Sequence, residues 1–212
     1  MISFALITVT IFDAVRRIVV TGGTGGLGIA VVTRLARDYR CTVLYHGDQG
    51  WQALRRIVEV DGIKADLSNE SDVQRALGQV RDLYAVVHLV GGFDADANAW
   101  SKMMSINFTT AVNVLGAALP GIEDGGRIVA ISSYVSLTKP AGLGAYVASK
   151  SALNALIQTL AIESKKRRIG VNALLPDDLG TAEMRERVAE VIAFLLSDAA
   201  SNITGALIPM LA

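Results

Sequence analysis

Short apolar runs rich in β-branched residues alternate with longer stretches of helical periodicity from Arg17 to the end of the chain. Strands and helices that alternate at this spacing are typical of βαβ units, in which helices join parallel strands. The strand-like runs are apolar on both faces, as expected where helices cover both sides of a sheet. The pattern therefore predicts an α/β fold with a doubly wound, mostly parallel seven-stranded sheet and helices on both faces.

The predicted elements follow one another without a repeat or a linker. We expect strands at 18–20, 42–45, 85–90, 128–131 and 171–175, with weaker ones at 57–60 and 206–210. We expect helices at 27–38, 70–81, 99–119, 146–164 and 185–196. Residues 17–212 are thus predicted to form one domain. Ligands of such a sheet bind beyond the carboxyl ends of its strands, so chemistry is expected in the loops there.

The amino-terminal segment 1–16 differs from this pattern, because residues 2–12 are almost wholly apolar. No basic residue precedes the apolar run, and no cleavage site of small residues follows it, which argues against a signal peptide. The run is also far shorter than the ~20 residues of a membrane helix. An extra strand, a contact between subunits and a mobile tail all remain open for this segment.

Charge and cysteine content exclude several classes of protein. The chain balances 20 Lys and Arg against 20 Asp and Glu residues and is 51% hydrophobic. Intrinsic disorder requires low hydrophobicity and a high net charge, and binding to nucleic acid requires an excess of Lys and Arg, so both classes are disfavoured. The single cysteine, Cys41, lies in an apolar run and is predicted to be a buried thiol in a reducing, cytoplasmic compartment. The scattered Cys and two His residues predict no metal site.

A glycine-rich loop follows the first predicted strand and leads into the first predicted helix. Its glycines permit a tight turn and let the backbone approach a pyrophosphate, whose charge the helix start stabilises. The loop lacks the Lys and Ser/Thr of a nucleoside-triphosphate site, so a dinucleotide is favoured. The candidate cofactor-binding residues are Thr21, Gly22, Gly23, Thr24, Gly25, Gly26, Leu27 and Gly28.

The end of the second strand distinguishes NAD from NADP, because an acid there binds the ribose 2′-hydroxyl and repels a 2′-phosphate. His46 occupies this position and is followed by Gly47 and Asp48. Neither an acid nor an arginine stands at the expected place, which slightly favours NADP. The nearby Asp48 keeps NAD open, and His46 is equally compatible with an ordinary exposed histidine.

Tyr146 and Lys150 stand four residues apart in a predicted helix and therefore share one face. An adjacent ammonium favours the phenolate, so we expect Lys150 to lower the pKa of Tyr146 towards that of a general acid/base. Ser133 follows the predicted strand at 128–131. The loop between Ser133 and Tyr146 is long enough for the hydroxyl to face the phenol.

These motifs resemble the classical short-chain dehydrogenase/reductase family, and the resemblance extends from Ile18 to the end of the chain. Further matching positions are Asp66, Leu67, Gly91, Gly92, Asn107, Val171, Asn172, Ala173 and Pro176. The resemblance implies a Rossmann-type domain that binds NAD or NADP. It also implies an oxidoreductase that transfers a hydride between the nicotinamide and a small carbonyl or alcohol substrate.

The family resemblance assigns a role to each candidate site residue. It implies that Tyr146 is the general acid/base, Lys150 binds the nicotinamide ribose, Ser133 holds the substrate oxygen and Asn107 supports a proton relay. Asp66 would receive the adenine amino group. The remaining implied cofactor-binding residues are Leu67, Val90, Gly91, Gly92, Pro176, Leu179 and Thr181.

Three features depart from the family pattern. His88 stands where the family has an asparagine, and we expect a packed core histidine, with a position beside the cofactor as the alternative. Asp177 replaces the glycine that follows Pro176. The stretch between Thr181 and the last helix is shorter than the substrate-covering lid that family members usually insert there. Either the site is open or the sequence omits a segment.

Two other functions stay open beside the hydride-transfer enzyme. Dihydropteridine reductases share the glycine pair after the fourth strand, although they usually lack a serine at the position of Ser133. The missing lid and Asp177 are compatible with a cofactor-binding relative of little turnover that acts as a sensor or structural protein.

Two predicted helices, 99–119 and 146–164, carry more apolar residues than one narrow stripe requires. A homodimer or homotetramer is therefore expected, with a wide core-facing stripe as the alternative. The apolar residues concerned are Val112, Leu115, Leu119, Leu153, Leu156, Ile157 and Leu160.

Overall fold

The computed structural model describes residues 15–96 and 98–212, whose seven strands form one parallel sheet. The strands are β1 (Arg17–Thr21), β2 (Arg40–Tyr45), β3 (Asp61–Lys64), β4 (Leu83–His88), β5 (Ile122–Ile131), β6 (Gly170–Pro176) and β7 (Leu207–Met210). Their order across the sheet is β3-β2-β1-β4-β5-β6-β7. This order confirms the predicted doubly wound sheet and places the reversal of strand order between β1 and β4.

Helices cover both faces of the sheet, as predicted. They are α1 (Gly26–Leu35), α2 (Asp48–Arg55), α3 (Glu70–Leu77), α4 (Trp100–Met104), α5 (Thr110–Ala118), α6 (Val135–Thr138), α7 (Gly144–Glu163) and α8 (Ala182–Leu196). On one face α3, α5 and α7 pack against strand residues such as Val86 and Ile128. On the other face α1, α2 and α8 pack against residues such as Ile18 and Val87. Burying each such side chain stabilises the fold by about 1.5–3 kcal/mol.

The predicted third strand at 57–60 is wrong, because the strand lies at Asp61–Lys64. Residues 57–60 are the connection between α2 and β3. Val58 and Val60 pack against the core below α2 without pairing with β2. Their hydrophobicity therefore serves side-chain packing, whereas the more polar residues 61–64 supply the hydrogen bonds of an edge strand.

The helix predicted at 99–119 is interrupted. Between α4 and α5 the chain widens into a π-helical turn at Ser105–Thr109. Such turns insert an extra residue into a helix and often occur at functional sites. Helix α2 was not expected from the periodicity, although its buried residues Trp51 and Leu54 have helical spacing. The short helix α6 was not expected either.

The apolar helix residues that suggested subunit contacts mostly face the core. Leu115, Leu153, Ile157 and Leu160 are buried within the face covered by α5 and α7. Val112 remains exposed, with 39% of its surface accessible. Leu119 and Leu156 are partly buried against the same core. The wide core-facing stripe therefore accounts for most of this pattern.

The prediction of a buried Cys41 thiol is confirmed, since the side chain is only 2% exposed and burial raises its pKa to about 12. Most of the apolar segment 1–16 lies outside the described residues. Of the described residues in it, Arg16 forms an ion pair of 2.9 Å with Asp198. No helix within residues 15–96 and 98–212 is long and apolar enough to cross a membrane.

Candidate active site

The glycine-rich loop turns tightly after β1, and two of its glycines admit no side chain. Gly22 has a φ of +71°, which other residues rarely adopt. A Cβ on Gly28 would lie 2.2 Å from the carbonyl oxygen of Gly22, so α1 packs directly on the loop backbone. Gly25 caps α1 without a side-chain hydrogen bond, and the first turn of α1 carries no acid. The N–H groups at this helix start therefore favour an anion.

A cleft of about 450 Å³ lies beside this loop. The predicted residues that line it are Gly22, Thr24, Gly25, Gly26, Leu27, Gly28, Val90, Gly91, Gly92, Tyr146, Lys150 and Leu179. A second cavity of about 390 Å³ shares Gly22, Thr24 and Val90 with it and is also lined by His46, Asp66 and Leu67. The two cavities form one elongated groove along the carboxyl ends of the central strands.

Some predicted cofactor-binding residues lie outside the lining of this groove. Thr21 is buried at the end of β1. Gly23 packs beneath the loop, where a Cβ would lie 2.9 Å from the side chain of Val43. Pro176 ends β6 as a buried residue, and Thr181 caps α8 by accepting a hydrogen bond from the amide of Met184. These residues therefore shape the groove through the backbone and the packing beneath it.

Tyr146 is half-buried in the first turns of α7 and faces the cleft. Burial raises the pKa of its phenol, and the nearby Ser133 side chain acts in the opposite direction. The pKa of Tyr146 is thus raised, so the expectation that Lys150 lowers it towards that of a general acid/base is wrong for this structure. Phe93 packs edge-on against the phenol ring, with 5.2 Å between ring centroids.

Lys150 lies one turn after Tyr146 and is almost completely buried, with 3% of its surface exposed. Its ammonium donates a 3.0 Å hydrogen bond to the carbonyl of Ile131, the last residue of β5. Burial lowers the pKa of Lys150 to about 8. A Cβ on Gly91 would lie 2.8 Å from Nζ, so the glycine leaves room for the ammonium at the edge of the cleft.

Asn107 lies in the π-helical turn and is fully buried. Its Oδ1 accepts a hydrogen bond from the amide of Gly92 at 2.9 Å, and its Nδ2 donates to the carbonyl of Gly92 at 3.0 Å. Nδ2 also lies 3.1 Å from Oγ of Ser149 on α7. One side chain thus connects the glycine pair after β4 with the helix that carries Tyr146.

His88 is a packed core residue, as expected. It has no exposed surface, and its Nδ1 lies 2.9 Å from Oγ1 of Thr21 on the neighbouring strand. Burial, together with the nearby charge of Lys150, lowers the pKa of His88 to about 3. The imidazole is therefore neutral and joins β1 to β4 beneath the groove.

The second cavity places His46 and Asp66 together at the ends of β2 and β3. Oδ1 of Asp66 accepts hydrogen bonds from the amide and the hydroxyl of Ser68, and these bonds lower the pKa of Asp66. Asp48 does not line this cavity, since its carboxylate forms a 2.6 Å ion pair with Lys64. Asp48, the acid that left NAD as an alternative in the sequence, is thus paired with Lys64 outside the cavity.

Five residues, 177–181, connect β6 to α8, which begins at Ala182. In this link the Asp177 carboxylate accepts hydrogen bonds from the amides of Asp178 and Ala212. Leu179 is the residue of the link that lines the cleft. The link therefore passes beside Tyr146 without a helix of its own.

Several residues of the groove were not expected from the sequence. Phe93 is one of them, and its position directly after the glycine pair could have identified it from the sequence. The other unexpected lining residues are Leu44, Tyr45, Gly47, Ala65, Ser68, Leu89, Ser105, Ile106, Thr110, Ile131 and Ser132. Within the described residues, no group of three or more His, Cys, Asp and Glu side chains is placed to hold a metal ion.

Dehydrogenases and reductases are among the proteins to which this chain is similar. The 2-(S)-hydroxypropyl-CoM dehydrogenase 3 of Xanthobacter autotrophicus is 27% identical, with 89% of this chain and 92% of the relative covered. The aligned region spans 235 positions, which exceeds the 212 residues of this chain, so the relative contains residues without a counterpart here.

Solved structures show the same architecture. A short-chain type dehydrogenase/reductase from Mycobacterium ulcerans is 27% identical and superposes with a TM-score of 0.84, with 92% of this chain and 88% of that chain covered. BdcA, solved in complex with NADPH, is 24% identical and superposes with a TM-score of 0.81, with 92% and 93% covered.

The sequence model described as short chain dehydrogenase matches residues 16–191. This range includes β1 to β6, the glycine-rich loop and the helix that carries Tyr146 and Lys150. The protein therefore belongs to the short-chain dehydrogenase family of oxidoreductases.

Proposed function

We propose that the protein is an NAD(P)-dependent oxidoreductase that transfers a hydride between the nicotinamide and a small carbonyl or alcohol substrate. The observation that carries this proposal is that Tyr146 and Lys150 line the same cleft as the glycine-rich loop. Dehydrogenases and reductases among the relatives support it.

The groove fits a dinucleotide in shape and chemistry. Gly28 lets α1 begin directly against the loop backbone, and Gly91 leaves room for the Lys150 ammonium at the edge of the cleft. We infer that the start of α1 holds the diphosphate, that Asp66 and Leu67 hold the adenine side, and that Gly91 and Leu179 hold the nicotinamide side. When bound, the nicotinamide supplies or accepts the hydride.

The proton on the substrate oxygen is assigned to Tyr146. The Ser133 hydroxyl, buried beside the phenol, orients that oxygen towards Tyr146. Lys150, one turn after Tyr146 at the edge of the cleft, binds the nicotinamide ribose. Asn107 holds Gly92 and α7 in place and so fixes the geometry of the proton transfer.

Replacing Tyr146 by Phe tests this assignment. We expect turnover to fall by about 10²–10⁴-fold, the usual contribution of a general acid/base. The affinity for the reduced dinucleotide should change little, because the ring and its contact with Phe93 remain. Turnover is measured by the absorbance of the reduced nicotinamide over a panel of carbonyl substrates, and binding by its fluorescence.

The matched control is Tyr39→Phe, which removes a hydroxyl from a ring stacked on Tyr84, far from the cleft. A Tyr146→Phe enzyme that keeps the wild-type rate would show that another group moves the proton. Dinucleotide binding without turnover on any substrate would instead favour the sensor or structural protein.

We propose that NADP is preferred over NAD. His46 lines the cavity at the end of β2, and the nearest acid of α2, Asp48, is paired with Lys64. No carboxylate therefore stands at the His46 position to repel a 2′-phosphate.

The substitution His46→Asp should reverse this preference, because an acid at this position accepts the ribose 2′-hydroxyl and repels a 2′-phosphate. The ratio of NADPH to NADH affinity is measured for both proteins by fluorescence titration. An unchanged ratio would mean that His46 does not face the ribose. His46→Asn, which adds no charge, is the control.

A further inference from the structure

Arg185 lies in the first turn of α8, four residues after Thr181. Its Cδ and Nε lie 3.9 and 4.0 Å from the position that a Cβ on Gly26 would occupy. Gly26 is the first residue of α1 and lines the cleft. The side chain of Arg185 therefore lies against the helix start that favours an anion.

The polar contacts of Arg185 leave its charge uncompensated. Nη1 donates hydrogen bonds to the carbonyls of Leu179 at 2.8 Å and Gly180 at 3.0 Å. Within residues 15–96 and 98–212, no carboxylate lies within 4.0 Å of its guanidinium, whereas Arg34 pairs with Asp38 and Glu190. The Nε and Nη2 donors of Arg185 have no protein partner among these residues.

Arg185 lies beside the cleft and lines a neighbouring cavity between α1 and α8, to which Gly26 also belongs. Gly26 belongs to the glycine-rich loop, and Leu179 belongs to the link that passes beside Tyr146. Because Gly26 lines both cavities, the guanidinium lies next to the residue at which the start of α1 would hold a diphosphate. Arginine is suited to the task, since it remains charged and its planar donors match phosphate oxygens.

We propose that Arg185 binds the diphosphate of the dinucleotide, an inference that rests on the proposed function. The five residues between β6 and α8 are the structural reason, because so short a link brings the first turn of α8 against α1. The same side chain also holds Leu179 over the cleft through its carbonyl contacts.

The test compares ligands that differ in the diphosphate. Arg185→Gln should weaken binding of ADP-ribose and of the reduced dinucleotide by about tenfold to a hundredfold, the usual effect of losing a hydrogen bond to a charged group. Binding of adenosine, which has no phosphate, should stay within twofold. The loss should shrink as salt is raised, because ions screen the interaction. Arg185→Lys should recover part of the affinity.

The control is Arg187→Gln on the same helix, since Arg187 is exposed and pairs with Glu183. If Arg185→Gln weakens the binding of adenosine and of ADP-ribose equally, Arg185 only supports the link and the proposal is wrong. An unchanged affinity for ADP-ribose would also overturn the proposal. Thermal unfolding of each variant shows whether the fold is retained. If the wild-type protein binds no dinucleotide at all, the proposed function itself fails.

Discussion

At the scale of single residues, the burial of Lys150 has a consequence for stability. The pKa of this lysine falls from the ordinary value of 10.5 to about 8 in the folded chain. Between these values the unfolded chain binds more protons than the folded chain, so the contribution of Lys150 to stability rises with pH. Below pH 8 both states hold the proton, and the folded state carries the full cost of burying the charge.

The prediction compares the wild-type protein with Lys150→Met, which removes the titration and keeps the length of the side chain. Relative to the variant, the free energy of unfolding of the wild-type protein should increase by about 3 kcal/mol as the pH rises from 8 to 10.5. Urea unfolding at a series of pH values measures this difference. A difference that is constant across the range would mean that Lys150 keeps its ordinary pKa.

Single residues also show where sequence reasoning stops. The spacing of Tyr146 and Lys150 on one helix face is a local property and could be predicted. The direction of the Tyr146 pKa depends on burial by neighbouring elements, which spacing does not reveal. Phe93 and Arg185 could not be predicted for the same reason. Phe93 follows β4 but packs on Tyr146 of α7, and Arg185 of α8 lies against Gly26 of α1.

At the scale of elements, the π-helical turn Ser105–Thr109 positions Asn107 between two parts of the site. Replacing Asn107 by Ala removes two hydrogen bonds to the half-buried backbone of Gly92, one from its N–H and one to its C=O. We expect a loss of about 1–3 kcal/mol in the free energy of unfolding, since each of the two hydrogen bonds contributes about 0.5–1.5 kcal/mol. Amide hydrogen exchange at Gly92 should also become faster.

Asn113→Ala is the matched control, because this asparagine makes one hydrogen bond from Nδ2 to the carbonyl of Leu67. The control should lose about 1 kcal/mol and leave exchange at Gly92 unchanged. If the Asn107 variant is no less stable than the control, the contacts of Asn107 with Gly92 contribute little.

The elements that were predicted correctly are those with strong local patterns. The glycine-rich loop combines a strand, a turn and a helix start in consecutive residues, so β1 and α1 followed directly from the sequence. Segment 57–60 is as apolar as a strand, but it packs under α2, and the polar residues 61–64 pair with β2 instead. Which of these two segments forms the strand therefore depends on tertiary packing.

At the scale of the whole molecule, the short link 177–181 decides how the cleft is covered. Leu179 is the one residue of the link in the lining of the cleft, and Phe93 beside Tyr146 is 57% exposed. An uncovered site excludes water poorly and selects substrates loosely. The shortness of this link could be read from the residue count alone, whereas the contact of α8 with α1 required the structure.

If the protein forms the expected homodimer or homotetramer, we expect the outer surface of α5 to take part in the subunit contact. Val112 is exposed there, and a Cβ on Gly116, one turn later, would meet nothing within 4 Å. This apolar strip with a glycine allows a helix of a second subunit to approach closely. We expect the protein to sediment as a dimer or tetramer.

Val112→Asp should shift the protein towards monomers, because the new carboxylate would be buried without a partner in such an interface. Sedimentation over a range of concentrations measures the change. Ile57→Asp, at a 55% exposed apolar residue after α2, is the control and should leave the mass unchanged. A monomeric wild-type protein would show that there is no subunit contact. A Val112 variant that associates as tightly as the control would place the contact elsewhere. In either case the outer surface of α5 would face solvent.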